Sequence, residues 1–243
     1  MQLRSRTDIG LVRRENQDAC GHTAVMDGWT LAVVCDGMGG AQGGALASQM
    51  AVEHFLKTAQ ELLQPSMTPE QLREALLFCV ARINTLLYET AQKRADCHGM
   101  GTTLVAALTD GTELLVCNVG DSRAYRLGAE GLRRISKDHS LVEHLIDCGD
   151  ITAEEARRHP NRHYITRALG PEMNAAGDCF VETLAHGDKV LLCTDGLVMT
   201  VTDAQMETIL RENAPEESLE KLFDLAYENG APDNVTAVLL YQD

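Results

Sequence analysis

Three apolar runs of this chain lead into aspartate, and a fourth aspartate stands just ahead of another such run. Leu31–Cys35 leads into Asp36 and Gly37, Leu114–Val119 into Gly120 and Asp121, and Val190–Cys193 into Thr194, Asp195 and Gly196. Asp233 precedes Val235–Tyr241. Short runs rich in valine and leucine and closed by glycine read as buried strands. A lone aspartate in such a place is usually a turn former or a helix cap. Four of them, from distant parts of the chain, predict carboxylates converging at one end of a β core. Such a cluster repels itself: two unit charges about 4 Å apart cost roughly 4 kcal/mol at an effective dielectric of about 20. Divalent cations relieve that repulsion. Oxygen donors, with no cysteine or histidine ligand pattern, favour magnesium or manganese.

The elements that would hold these aspartates can be read in outline. Leu46, Met50, Val52, Phe55, Leu56, Ala59, Leu62 and Leu63 recur at helical spacing, which predicts a helix over 43–64 stopped by Pro65. Gly39-Gly40 is read as a tight turn feeding that helix. Thr68-Pro69-Glu70-Gln71 has the pattern of a helix opening, with Thr68 as the cap, and its helix runs to about Arg94. Gly101-Thr102-Thr103 sets up a strand, and residues 101–109 and 113–119 predict a hairpin around Thr109-Asp110-Gly111. Residues 124–127 and 132–135 predict another strand pair.

Residues 138–164 are polar and rich in histidine, with short helix signals such as Thr152-Ala153-Glu154-Glu155, and predict an exposed, mobile flap that sets substrate choice. Gly170-Pro171 reads as a turn closing it. Helices near 203–212 and 215–229, the second ended by Gly230, lead to a final strand at 235–241. Strands and helices do not alternate, which argues against a doubly wound parallel sheet. Hairpin strands with paired amphipathic helices predict an α+β layered sandwich of antiparallel sheets covered by helices. No linker and no repeat interrupts it, so residues 1–243 are expected to form one domain.

Composition narrows the function classes. Lys plus Arg is 21 against 36 for Asp plus Glu, a net charge of −15 that argues against general binding to nucleic acid or anionic membrane. No run approaches the roughly 18 apolar residues of a membrane span. Met1–Gly10 has no apolar signal segment. The eight cysteines contain no C-x-x-C pair, and Cys35, Cys117 and Cys193 fall inside apolar runs, as small buried hydrophobes do. A reducing cytoplasm is the expected location.

With these motifs assembled in order, the chain resembles the metal-dependent protein phosphatases, the type 2C serine/threonine family, in its compact bacterial form. The resemblance rests on Thr7-Asp8-Ile9-Gly10, Arg13-Arg14-Glu15-Asn16-Gln17-Asp18, Asp36-Gly37-Met38-Gly39-Gly40 and Gly99-Met100-Gly101-Thr102-Thr103. It continues through Val119-Gly120-Asp121-Ser122-Arg123-Ala124-Tyr125, Asp138-His139-Ser140, Thr194-Asp195-Gly196 and Asp233-Asn234-Val235-Thr236. It implies a four-layer αββα sandwich with a dinuclear Mn2+ or Mg2+ site at one edge. By resemblance, Asp36 bridges the two metals, the Gly37 carbonyl ligates one, and Asp195 and Asp233 bind the other. Asp121 resembles the ligand of a third, weaker metal shared with Asp195. Asp18 is expected to act through metal-bound water, and Arg13 to grip the substrate phosphate with its two-pronged guanidinium.

The implied activity is hydrolysis of phosphoserine and phosphothreonine in proteins by a metal-activated water, with no phosphoenzyme. By family analogy it opposes a bacterial serine/threonine kinase, and a monomer is expected. Some relatives carry a histidine just after the Asp-Gly pair, proposed as general acid. Here that position is Met38, which has no proton to give. His139, His159 and His163 are candidates by location only, and an exposed or structural role is the simpler reading of each. The alternative from another class is a catalytically inactive or narrow-range partner-binding module, which missing ligands would favour.

Overall fold

The computed structural model describes residues 1–242, with every side chain outside 40–42. Eleven strands form two sheets, and every strand pairing given a register is antiparallel. The first sheet joins β1 (Gln2–Asp8), β11 (Val235–Tyr241), β10 (Lys189–Cys193), β7 (Arg123–Gly128) and β8 (Gly131–Arg134), in that spatial order. The second runs β2 (Asp18–Met26), β3 (Trp29–Met38), β5 (Leu104–Thr109), β6 (Glu113–Val119) and β9 (Asp178–Thr183), with the two-residue β4 (Gly101–Thr102) paired to β3.

Two-residue periodicity assigns each strand residue to a layer. Along β3, Leu31, Val33 and Cys35 face one hydrophobic cluster, whereas Ala32 and Val34 face another. Along β11, Val235, Ala237, Leu239 and Tyr241 point to a third cluster, whereas Val238 and Leu240 join the second. The cluster shared by both strands lies between the sheets, and it also takes Ala107 of β5, Ala124 of β7 and Leu192 of β10.

Helices cover the two outer faces. α1 (Gly40–Leu62) and α2 (Pro69–Lys93) lie on the second sheet through Ala51, Phe55, Leu76, Val80 and Ile83. α6 (Asp203–Glu212) and α7 (Pro215–Glu228) cover the first through Met206, Leu210, Leu222 and Phe223. The order helix, sheet, sheet, helix is the expected four-layer α+β sandwich.

Local signals hold. Thr68 and Gln71 form a capping box that opens α2, and Thr152 with Glu155 does the same for α4 (Ala153–Arg158). Gly230, at φ 95°, follows the end of α7. Two details differ from expectation. The strand expected over 101–109 is broken at Thr103, because Thr102 turns away to exchange backbone hydrogen bonds with Leu169. The flap holds α3 (Leu141–Asp147) and α4, but its first residues are not exposed: Asp138, His139 and Ser140 are all buried.

Candidate metal centre

The four strand-end aspartates meet where the two sheets share an edge. Asp36 lies near the end of β3, and Asp121 just past the end of β6, both from the second sheet. Asp195 opens the short helix α5 (Asp195–Val198) directly after β10, and Asp233 precedes β11, both from the first. All four line one open cleft of about 770 Å³, together with Arg13, Gly37, Met38, Thr103 and Met199. His163 reaches it from the flap, and Ile165 from just beyond it.

Asp18 is the exception among the expected site residues. It is directly opposite Asp36 in the β2–β3 register but lies behind it, buried, and does not line the cleft. Its Oδ2 accepts a hydrogen bond from Thr194 Oγ1 at 2.8 Å, while its Oδ1 has no partner.

Neighbouring groups fix the backbone at each position. The Asp36 N–H donates to Thr103 Oγ1 (2.9 Å), and the Asp36 carbonyl accepts from Thr103 N–H (2.8 Å) and Thr102 Oγ1 (2.9 Å). Thr103 Oγ1 also touches Ser122 Oγ at 2.7 Å, which ties Asp36 to the residue beside Asp121. The Gly101-Thr102-Thr103 segment therefore does more than start a strand. Gly37 admits no side chain: a Cβ there would sit 2.1 Å from the Gly44 carbonyl oxygen and 2.6 Å from that of Gln17. Gly120, at φ 104°, makes the left-handed turn that brings Asp121 in from β6. His139 holds that turn, accepting from Gly120 N–H through Nδ1 at 3.0 Å and donating its own backbone N–H to the Gly120 carbonyl at 2.9 Å. Nδ1 is thereby the acceptor, so the neutral ring carries its proton on Nε2, facing Asp178 at 3.1 Å. This is the structural role open to His139. His163 is exposed on the cleft side of the flap, and His159 is partly buried.

Arg13 reaches the cleft from the loop between β1 and β2, and its Nη2 donates to Asp233 Oδ2 at 2.6 Å. Asn234 secures that loop: its Nδ2 donates to the carbonyls of Ile9 (2.9 Å) and Glu15 (3.0 Å), and its Oδ1 accepts from Gln17 N–H (2.9 Å).

Burial and crowding set the electrostatics of the cluster. Burial, with the nearby charges of Asp18 and Asp195, pushes the Asp36 carboxyl well above the usual carboxylate range. Burial and then Asp195 do the same to Asp121. Asp195 is pushed up to about 6, chiefly by burial and then by Asp233, and Asp18 to about 7, chiefly by burial. Without cations, the site relieves its repulsion by holding protons. Asp195 Oδ1 is a second buried oxygen without a partner. Hard oxygen donors, surplus negative charge and orphaned carboxylate oxygens all fit divalent cations such as magnesium or manganese. Among the described residues, no group of three or more His, Cys, Asp or Glu side chains is already drawn together as a metal cage.

Comparisons with known proteins agree with this architecture. A family model described as Protein phosphatase 2C matches residues 13–239. The serine/threonine phosphatase stp of Listeria monocytogenes is 36% identical over 244 residues, spanning 100% of this chain and 96% of its own length. The crystal structure of serine/threonine phosphatase Stp1 from Staphylococcus aureus superposes with a TM-score of 0.93 at 35% identity, covering 100% of this chain and 95% of that one. The catalytic domain of serine threonine protein phosphatase PstP, solved in complex with two manganese ions, superposes with a TM-score of 0.85 at 34% identity, covering 98% and 96%. With the sandwich, the edge carboxylates and these relatives in agreement, the chain belongs to the protein phosphatase 2C family.

Proposed function

We propose that this chain hydrolyses phosphoserine and phosphothreonine in proteins, and that Asp36, the Gly37 carbonyl, Asp195 and Asp233 hold two Mn2+ or Mg2+ ions for that purpose. The observation that carries the reading is the convergence of four carboxylates from both sheets on one open cleft with an arginine at its mouth. When bound, such cations supply Lewis acidity toward the phosphoryl group and toward the attacking water. Asp121, together with Asp195, is assigned to a third, weaker cation.

The protein's own groups position and neutralise. Arg13 turns from Asp233 to the substrate, where its planar fork pairs two phosphate oxygens. Thr102 and Thr103 fix the backbone on both sides of the Asp36 peptide, which holds Asp36 at the cleft. Asp18 acts from behind Asp36, through water rather than by direct contact. Met38 lines the cleft and cannot protonate the leaving serine or threonine oxygen, so that proton comes from water or from another residue, His163 being the histidine that lines the cleft. The substrates are phosphorylated proteins, the opposing activity is a serine/threonine kinase, and the setting is the cytoplasm. No helix among the described residues is long and apolar enough to cross a membrane.

The test is hydrolysis of a phosphothreonine peptide with manganese, with magnesium and with EDTA, on the native chain and on Asp36→Asn. Cation-dependent turnover that the substitution abolishes is expected. Full manganese-dependent turnover by Asp36→Asn would overturn the site assignment. Absence of turnover in every metal, with cation binding intact by calorimetry, would indicate a binding module instead.

A further inference from the structure

Cys117 of β6 and Cys179 of β9 are directly opposite in the antiparallel register. The hydrogen-bonding phase of this strand pair can be worked out. Leu184 N–H donates to the Thr112 carbonyl at 2.7 Å, which marks residues 112 and 184 as a hydrogen-bonded pair. Hydrogen-bonded and non-hydrogen-bonded pairs alternate along the ladder. Counting from 112 to 117 and from 184 to 179 therefore puts the two cysteines in a non-hydrogen-bonded pair. Such pairs bring their Cα atoms to roughly 4.5 Å, inside the span of about 4.4–6.8 Å that a disulfide bridges. Both side chains point to the same face of the sheet, into the cluster beneath α2. There the two side chains are direct cross-strand neighbours.

The two thiols differ in access and in reactivity. Cys117 is fully buried, whereas Cys179 is partly exposed, on the last strand of its sheet. The neighbouring Cys117 thiol holds the Cys179 thiol below its ordinary range, opposed by burial and Glu70 and helped by Arg73 of α2. The same neighbour, together with burial, pushes Cys117 well up. Cys79 of α2 also faces Cys117, but burial pushes its thiol up to about 12, which leaves it unreactive.

We infer that Cys117 and Cys179 form an oxidation site, in which a hydroperoxide converts the facing thiols to a cross-strand disulfide. The Cys179 thiolate attacks the peroxide, its sulfur bonds to one oxygen, and the O–O bond breaks. A sulfenic acid forms, and the other oxygen leaves as water or an alcohol. The Cys117 sulfur then attacks the sulfenic sulfur, the S–O bond breaks, and the hydroxyl departs as water with the Cys117 proton. Two thiols lose two electrons in all, and the peroxide gains them. The inference does not rest on the phosphatase reading, since neither sulfur lines the cleft.

The test is oxidation of the full chain with hydrogen peroxide, quenching with catalase, alkylation, and peptide mapping without reductant. Free thiols are expected to fall from eight to six. The two lost are expected to reappear as one linked peptide pair containing Cys117 and Cys179, lighter by two hydrogens. The exposed Cys148 competes for oxidant, so Cys148→Ser is run in parallel and should give the same pair. In Cys117→Ala, Cys179 should accumulate as a dimedone-reactive sulfenic acid. Should that variant fail to fold, the native-chain map still decides. Cys117 left free beside a sulfinic Cys179, a Cys79 link in place of the pair, or oxidation confined to Cys148 would each overturn the inference.

Discussion

Thr103 shows how a residue with no ligand role can govern the site. Its hydroxyl accepts from the Asp36 amide and meets Ser122, so one oxygen couples the backbone at Asp36 to the loop of Asp121. Thr103→Val keeps the shape and removes that oxygen. The substitution should weaken manganese binding by roughly 10–100-fold, the usual cost of losing a group that orients a ligand. Isothermal calorimetry reads this directly, and an unchanged dissociation constant would refute the coupling. Arg13→Ala should lower kcat/KM for a phosphothreonine peptide by roughly 10–100-fold, since a charge-assisted hydrogen bond contributes about 1.5–3 kcal/mol. The loss should appear mainly in KM, with weaker inhibition by free phosphate. A loss confined to kcat would contradict the phosphate-gripping role.

The four cleft aspartates were legible in the sequence, because a short continuous apolar run rich in valine and leucine announces a buried strand and its end announces a position. The partners of those aspartates were not. Thr103 is 67 residues from Asp36, and Thr194 is 176 residues from Asp18. No local pattern marks a hydroxyl for so distant a partner, whether the backbone amide of Asp36 or the carboxylate of Asp18, which lies behind the cleft.

Among the elements, the segment joining Asp138 to Gly170 has an uneven build. Its base is tied down: Leu141 N–H donates to Tyr164 and Thr166 N–H to His139, at 2.8 and 2.7 Å. Its tip is not: α3 buries no side chain, and α4 buries only Ala156. Hydrogen exchange should therefore be fast over residues 146–163 and slow at Leu141 and Thr166. Uniform protection across both parts would rule out a mobile tip. A polar sequence reads as exposed throughout, which is why the burial of Asp138 and His139 could not be anticipated. Asp138 is buried because Arg123 pairs with it, Nη2 to Oδ2 at 2.6 Å, and Arg134 approaches it at 3.3 Å. His139 is buried because it clasps Gly120.

At the scale of the molecule, the carboxylate cluster makes stability depend on pH in a direction that can be worked out. In the metal-free protein Asp18 titrates near about 7 and Asp195 near about 6, both above the ordinary value of 3.8. Between those values the folded chain keeps protons that the unfolded chain has released. Unfolding then releases protons, so metal-free stability falls as pH rises through this window, and the raised carboxyls of Asp36 and Asp121 add to the fall. Cations compete with the same protons, so their stabilisation grows over the same range. Melting curves with EDTA and with manganese, from about pH 5 to about pH 7.5, should diverge steadily. A melting-temperature difference that stays constant with pH would refute the linkage.

The layer between the sheets sets more than stability. It contains alanines at closely related positions, Ala32 opposite Ala107 across β3 and β5, with Ala124 on the other sheet. Because Asp36 and Asp121 ride on one sheet while Asp195 and Asp233 ride on the other, the width of the cleft is inherited from the thickness of this interior. A methyl group added at Ala107 would act as a shim. It would part the two pairs of cleft aspartates without touching either, and so would reset their spacing from inside the protein.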